Sequence, residues 1–211
     1  MVEIELKARV DDPHKTRAVI SSFARYIKTF DKEDAYWLPR ERESALPASG
    51  IRIRRETDYI ENDFCVSQRI ARTWVTYKTK EIRDCIEVNN EKEFSIAEDD
   101  NEKPFEELLA AFGLQIGVCK HKSGWAWLSE EENPPVSIEL SEVAGLGWFV
   151  ELEILSERND EKTVSAIRRR LLACLGKTGV GEDKIEARYY TDMLREKTDA
   201  AHTVREPSAR W

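Results

Sequence analysis

Apolar and polar residues alternate along eight stretches of this chain, and in several of them the polar members are nearly all ionic. Residues 3–10, 26–38, 50–57, 72–82, 87–97, 115–129, 135–143 and 148–156 keep a period of two or are rich in β-branched and aromatic residues, which predicts strands. The run 115–129 is long enough for two strands turned at Ser123-Gly124. In the first stretch Ile4, Leu6, Ala8 and Val10 share one face and Glu3, Glu5, Lys7 and Arg9 the other.

Three segments change to the helical period. Asp12 followed by Pro13 reads as an N-cap and first helical position ahead of Val19, Ile20 and Phe23. Phe105, Leu108, Leu109 and Phe112 repeat at helical spacing and stop at Gly113; Val164, Ile167, Leu171, Leu172 and Leu175 do so before Gly176. Each helix has one apolar stripe to bury. Residues 196–211 show no period and read as a frayed or disordered tail.

The length of 211 residues suits a single domain, and the 41% hydrophobic content supplies a core while 35% of residues are charged. A net charge of -8 argues against a nucleic-acid partner, which needs a net basic face. No apolar run reaches membrane-spanning length, and Met1-Val2-Glu3-Ile4-Glu5 lacks a leader pattern, so a cytoplasmic protein without a membrane partner is expected. Cys65, Cys85, Cys119 and Cys174 form no C-x-x-C pair and read as reduced thiols.

The charges are sorted by sign. Arg52 and Arg54 share a strand face, as do Lys78 and Lys80, Lys120 and Lys122, Glu91 and Glu93, and Glu151 and Glu153, with Glu139 between Ile138 and Leu140. An open sheet with one solvated face also alternates, but such a face usually mixes signs. Like charges two residues apart on a strand, roughly 6.7 Å, repel by about 2.5 kcal/mol at an effective dielectric of about 20, so an enclosed set needs a compensating ligand. Glu-x-Glu pairs offer hard oxygen ligands for Mg²⁺ or Mn²⁺, and Lys and Arg pairs suit phosphate oxygens. A cavity holding both takes a polyphosphate with its metal ions.

Glu3-Ile4-Glu5-Leu6-Lys7 is similar to the Glu-x-Glu-x-Lys signature of the CYTH superfamily, the triphosphate tunnel metalloenzymes, which include class IV adenylyl cyclases, thiamine triphosphatases and inorganic triphosphatases. The resemblance continues through Asp34-Ala35-Tyr36-Trp37, Ile51-Arg52-Ile53-Arg54, Thr76-Tyr77-Lys78, Glu91-Lys92-Glu93, residues 145–153 and Tyr190-Thr191-Asp192-Met193-Leu194. It implies an α+β, mainly antiparallel fold over residues 1–195: an eight-stranded closed β-tunnel with helices packed outside and charges inside. It also implies that Glu3, Glu5, Glu151 and Glu153 hold the metal, with a further ligand either missing at Ser141 or supplied by Glu139, and that Lys7, Arg52, Arg54, Lys78 and Lys120, with Lys122 in place of an arginine, bind the triphosphate beside Glu91 and Glu93. Lys7 and Lys78 are the candidates for positioning an attacking water.

The chain departs from the family pattern at three places. Ser141 stands where an Asp is usual, Lys122 where an Arg is usual, and Asn89 where an Arg is usual, with Arg83 nearby as a substitute to consider. Metal-dependent hydrolysis of inorganic triphosphate, ATP or thiamine triphosphate is the expected activity. Cyclisation of ATP to cyclic AMP and pyrophosphate is the alternative, and a noncatalytic polyphosphate-binding module the second. The family is compatible with a monomer or a homodimer. The tryptophans read as core or lid residues, His14, His121 and His202 as structural or surface residues, and Gly145 and Gly147 as a turn between the last two strands.

Overall fold

A computed structural model describes residues 1–40, 50–61, 67–96, 101–131 and 133–203 of the chain. Their order is β1 (Val2–Arg9), α1 (Pro13–Ser21), β2 (Arg25–Pro39), β3 (Ile51–Glu61), β4 (Ser67–Arg83), β5 (Ile86–Ile96), α2 (Glu102–Ala111), β6 (Leu114–Ser129), β7 (Val136–Val143), β8 (Gly147–Ser156), α3 (Glu161–Lys177) and α4 (Tyr190–Thr203). The strands close in the order β1-β5-β4-β3-β2-β6-β7-β8. Antiparallel pairing of β8 with β1, from Val2 opposite Ser156 to Arg9 opposite Phe149, completes the ring. This is the closed eight-stranded tunnel that the resemblance implied.

The apolar core lies outside the ring. Ile4, Leu6, Ile138, Leu140, Val150, Leu152 and Ile154 point outward and are fully buried beneath Ile20 of α1 and Ile167, Leu171 and Leu175 of α3. Each such side chain removed from water contributes about 1.5–3 kcal/mol, so the two helices fix the β1–β8 seam. The alternate residues of the same strands are thereby turned into the tunnel.

Asp12 caps α1 by accepting the Lys15 backbone N–H at 3.0 Å, with Pro13 in the first turn. On α2 only Leu109 of the expected stripe is fully covered, by Ala35, Trp37 and Ile53; Phe112 remains 77% exposed. Helix α3 runs through Gly176 to Lys177 and is capped by Thr178, after which Gly179 adopts φ +80. Helix α4 crosses the expected boundary at 195 and continues to Thr203, so residues 196–203 are helical; residues 204–211 lie outside the described residues. Its Tyr190 and Met193 pack on Val143 and Phe149.

Residues 114–129 form one strand, in contrast to the expected pair. Gly124 serves a close approach instead of a turn: a Cβ there would lie 2.1 Å from the Leu140 carbonyl oxygen and 2.6 Å from the Ser141 Cα. The turn between β7 and β8 does use Gly145 (φ +78) and Gly147 (φ +93). No described helix is long and apolar enough to cross a membrane.

Candidate active site

The inward faces of the strands enclose a cavity of about 210 Å³. Its acidic side comes from β1 and β8. Glu5 pairs in register with Glu153, and Glu3 sits one inward position further along β1. Carboxylate oxygens of Glu3, Glu5 and Glu153 lie within 4.8 Å of one another. Burial, followed by repulsion from Glu87 and Glu151, pushes Glu5 up to about 7. Burial with the charges of Glu3 and Glu5 pushes Glu153 up to about 8, and burial raises Glu3 as well. Three half-buried carboxylates that resist ionising together fit a small hard dication.

The other walls bring cations from β2, β3, β4 and β6. Arg54 donates through Nε (2.6 Å) and a terminal nitrogen (2.9 Å) to Asp34, which also lies 3.0 Å from Lys120. Burial opposes ionisation of Asp34, yet Arg54 and Lys120 hold it well below the usual carboxylate range. Lys78 lies 2.9 Å from Glu3 and also pairs with Glu91. Against burial, Lys78 and Arg52 hold Glu91 at about 2. Arg52 lies 3.3 Å from Glu93 and 2.9 Å from the Thr76 hydroxyl.

Lys122 is clamped between Glu139 (2.7 Å) and Glu151 (2.6 Å), and Lys32 bonds Glu139 at 2.6 Å. Lys7 pairs with Glu87 within the barrel wall and is almost wholly buried. Tyr190, at the start of α4, donates its hydroxyl to Glu151 at 3.0 Å. Its ring takes Lys120 at 5.2 Å and Lys7 at 5.3 Å. Helix α4 therefore closes against the cavity with a tyrosine that touches both kinds of charge.

The CYTH domain model matches residues 1–190. The chain belongs to the CYTH domain family. A Methanocaldococcus jannaschii protein named "putative adenylate cyclase" is 25% identical over 195 residues, spanning 92% of this chain and 98% of its own. The PH1819 protein of Pyrococcus horikoshii superposes with a TM-score of 0.75 at 25% identity, over 92% of this chain and 99% of its own. A Hippeastrum protein described as a "putative adenylyl cyclase" with a dominant triphosphatase activity shares the fold alone, with a TM-score of 0.58 at 14% identity over 92% and 96% of the two chains.

In this CYTH barrel the expected metal-holding residues divide into two groups. Glu3, Glu5 and Glu153 come together, whereas Glu139 and Glu151 face Lys122. The expected phosphate-binding residues Arg52, Arg54, Lys78, Lys120 and Lys122 line the cavity with Glu91 and Glu93; Lys7 sits behind, against Glu87. Arg83 cannot stand in for an arginine at position 89, because it sits at the β4–β5 hairpin tip and donates to the Asn159 carbonyl at 2.6 Å. Ser141 is fully buried, and its hydroxyl has no hydrogen-bond partner among the described residues.

Sequence reasoning passed over Lys32, Asp34 as a charge partner, Tyr36, Glu87 and Tyr190. In β2 the inward residues Lys32, Asp34 and Tyr36 mix sign and polarity, so no sorted run marks them; only the register against Glu56, Arg54 and Arg52 does. His121 lies on the outside, 2.8 Å from Asp31, and Trp125 stacks on Trp148 at 5.5 Å, consistent with structural roles.

Proposed function

We propose that the protein is a divalent-metal-dependent triphosphatase that cleaves a phosphoanhydride bond of an inorganic or organic triphosphate. The observation that carries this reading is the placement of the Glu3, Glu5 and Glu153 carboxylates in the same closed cavity as Arg52, Arg54, Lys78 and Lys120. Mg²⁺ or Mn²⁺, held by these three glutamates, would supply charge neutralisation at the phosphate oxygens. Arg52, Arg54 and Lys120 bind and orient the triphosphate, each exchanging part of its contact with a wall carboxylate for a phosphate oxygen. Lys78, beside Glu3, positions the water whose oxygen bonds to phosphorus as the anhydride P–O bond breaks. Lys7 holds Glu87 and, through its ring contact, Tyr190. The bridging oxygen departs with the leaving phosphate, and the excess charge is met by the cationic wall. In this reading the protein is cytoplasmic, acts as a monomer or homodimer, and has neither nucleic acid nor membrane as partner.

A second reading, adenylate cyclase, is favoured by the name of the Methanocaldococcus jannaschii relative, and the same carboxylates serve it. Product analysis with inorganic triphosphate, ATP and thiamine triphosphate, each with Mg²⁺ or Mn²⁺, separates the two. Orthophosphate release that disappears in Glu5→Ala supports the triphosphatase; cyclic AMP with pyrophosphate supports the cyclase. Binding without turnover under either metal sinks both and leaves a polyphosphate-binding module.

A further inference from the structure

Every cavity cation except one already has a carboxylate partner among the described residues. Lys32 lies 2.6 Å from Glu139, Arg52 3.3 Å from Glu93, Arg54 2.6 Å and Lys120 3.0 Å from Asp34, Lys78 2.9 Å from Glu3, and Lys122 2.6 Å from Glu151. Lys80 lines the same cavity and has no such ion pair among the described residues; its ammonium rests 4.7 Å from the centre of the Tyr189 ring. Burial, reinforced by the neighbouring charges of Lys78 and Lys120, lowers its pKa against the pull of Tyr36 and Glu87.

The residue beside it is also incomplete. Lys80 faces Asn89 across the β4–β5 ladder, and Asn89 faces Glu3 across the β5–β1 ladder. Asn89 is 0% exposed, yet neither its amide nitrogen nor its amide oxygen has a hydrogen-bond partner among the described residues. One row of the barrel wall thus reads ammonium, amide, carboxylate. Buried amides are almost always satisfied, and an enclosed ammonium without a counter-ion is unfavourable. A water molecule could complete the amide but would not neutralise the lysine. A phosphate oxygen would neutralise the lysine and accept from both Lys80 Nζ and Asn89 Nδ2, leaving Asn89 Oδ1 to a water.

We propose that Lys80 and Asn89 form an anion subsite that takes one phosphate group of the substrate, with Lys80 supplying the cavity's one positive charge, among the described residues, that no wall carboxylate has claimed. The proposal rests on the triphosphate reading given above. It also separates binding from stability: removing an ammonium that has no ion pair among the described residues and lies beside Lys78 and Lys120 relieves repulsion, so the loss of binding should accompany a gain in stability.

The test is calorimetric titration of inorganic triphosphate, in chelator so that no turnover occurs, into the full chain and its Lys80→Met, Lys80→Arg and Asn89→Leu variants. Thermal melting and Mn²⁺ titration of each variant accompany it. The expected result is affinity weakened about tenfold or more in Lys80→Met and about threefold or more in Asn89→Leu, with Lys80→Arg within about threefold of the parent. Lys80→Met should melt at a higher temperature and keep its Mn²⁺ affinity. Parent-like triphosphate affinity in Lys80→Met overturns the subsite while leaving the triphosphate reading intact. Lower melting temperature with weakened Mn²⁺ binding assigns Lys80 a structural role and overturns it too. A parent that binds triphosphate only when Mn²⁺ is present overturns the subsite, and a parent that binds it neither in chelator nor with Mn²⁺ overturns both readings.

Discussion

Glu5 stands directly opposite Glu153 across the β1–β8 ladder, and Glu3 brings a third carboxylate within 4.8 Å. With Glu5 at about 7 and Glu153 at about 8, the metal-free folded protein holds protons that the unfolded chain, with carboxyl pKa values of about 4.3, has released. Stability from these groups is therefore present below about pH 4 and is lost as pH rises through the folded values. In chelator the melting temperature should fall between about pH 5 and about pH 8, while saturating Mg²⁺ or Mn²⁺ should remove most of that fall. Glu153→Gln should flatten the curve in chelator and abolish the metal response. A metal-free curve that rises over this window would sink the acidic-trio account.

The clamp on Lys122 makes a different prediction. Its side chain is 4% exposed between Glu139 and Glu151, so Lys122→Met leaves two enclosed carboxylates each short of a cation, with Lys32 still on Glu139 and the Tyr190 hydroxyl still on Glu151. Breaking a buried pair in this way costs about 3–5 kcal/mol. Because orphaned carboxylates can take up protons, urea unfolding should show a larger loss at about pH 8 than at about pH 5. Adding Glu151→Gln should recover part of the loss. Equal destabilisation at both pH values would mean that the lost packing of the lysine stem, and not its charge, dominates.

Gly124 tests the β6–β7 spacing. A Cβ would meet two backbone groups, the Leu140 carbonyl oxygen at 2.1 Å and the Ser141 Cα at 2.6 Å, neither of which can rotate away. Gly124→Ala should destabilise by about 3 kcal/mol or more through forced separation of the two strands. An effect within about 0.5 kcal/mol, read from the urea midpoint at constant slope, would show that the strands can part freely.

The residues that were legible in the sequence are those whose neighbours along the strand repeat their charge. Glu3 with Glu5, Arg52 with Arg54, and Glu151 with Glu153 announce an ionic face by local alternation, and the ordered signatures around them carry the family and the closed tunnel. What alternation cannot give is register. Whether Glu151 faces the Glu3, Glu5 and Glu153 cluster or Lys122 depends on the register of β6 on β7 and of β7 on β8, which only the folded barrel sets. Glu87 was hidden because it stands between Ile86 and Val88, where a single acid reads as an exposed strand residue. Gly124 mimicked a turn because a glycine needed for close approach and one needed for bending look alike in sequence. Residues 196–203 lack a clear apolar stripe, and their helix continues from the packed turn that starts at Tyr190.

Tyr190 links that helix to the cavity, and its two ends can be tested apart. The hydroxyl lies 3.0 Å from Glu151, while the ring packs edge-on against Phe149 at 5.0 Å and faces Lys7 and Lys120. Tyr190→Phe keeps the plug and loses the hydrogen bond; since Lys122 still satisfies Glu151, the cost should be about 1 kcal/mol. Tyr190→Ala removes the plug and exposes Lys7 and Glu87 to water, with a cost of about 3–5 kcal/mol. If α4 seals a working cavity, the alanine variant should also admit solvent there, seen as faster amide exchange in β1 and β8 under conditions where α3 stays protected. Uniformly faster exchange across β1, β8 and α3 would instead mean global destabilisation, and the helix would then be a buttress of the barrel and not a seal on its cavity.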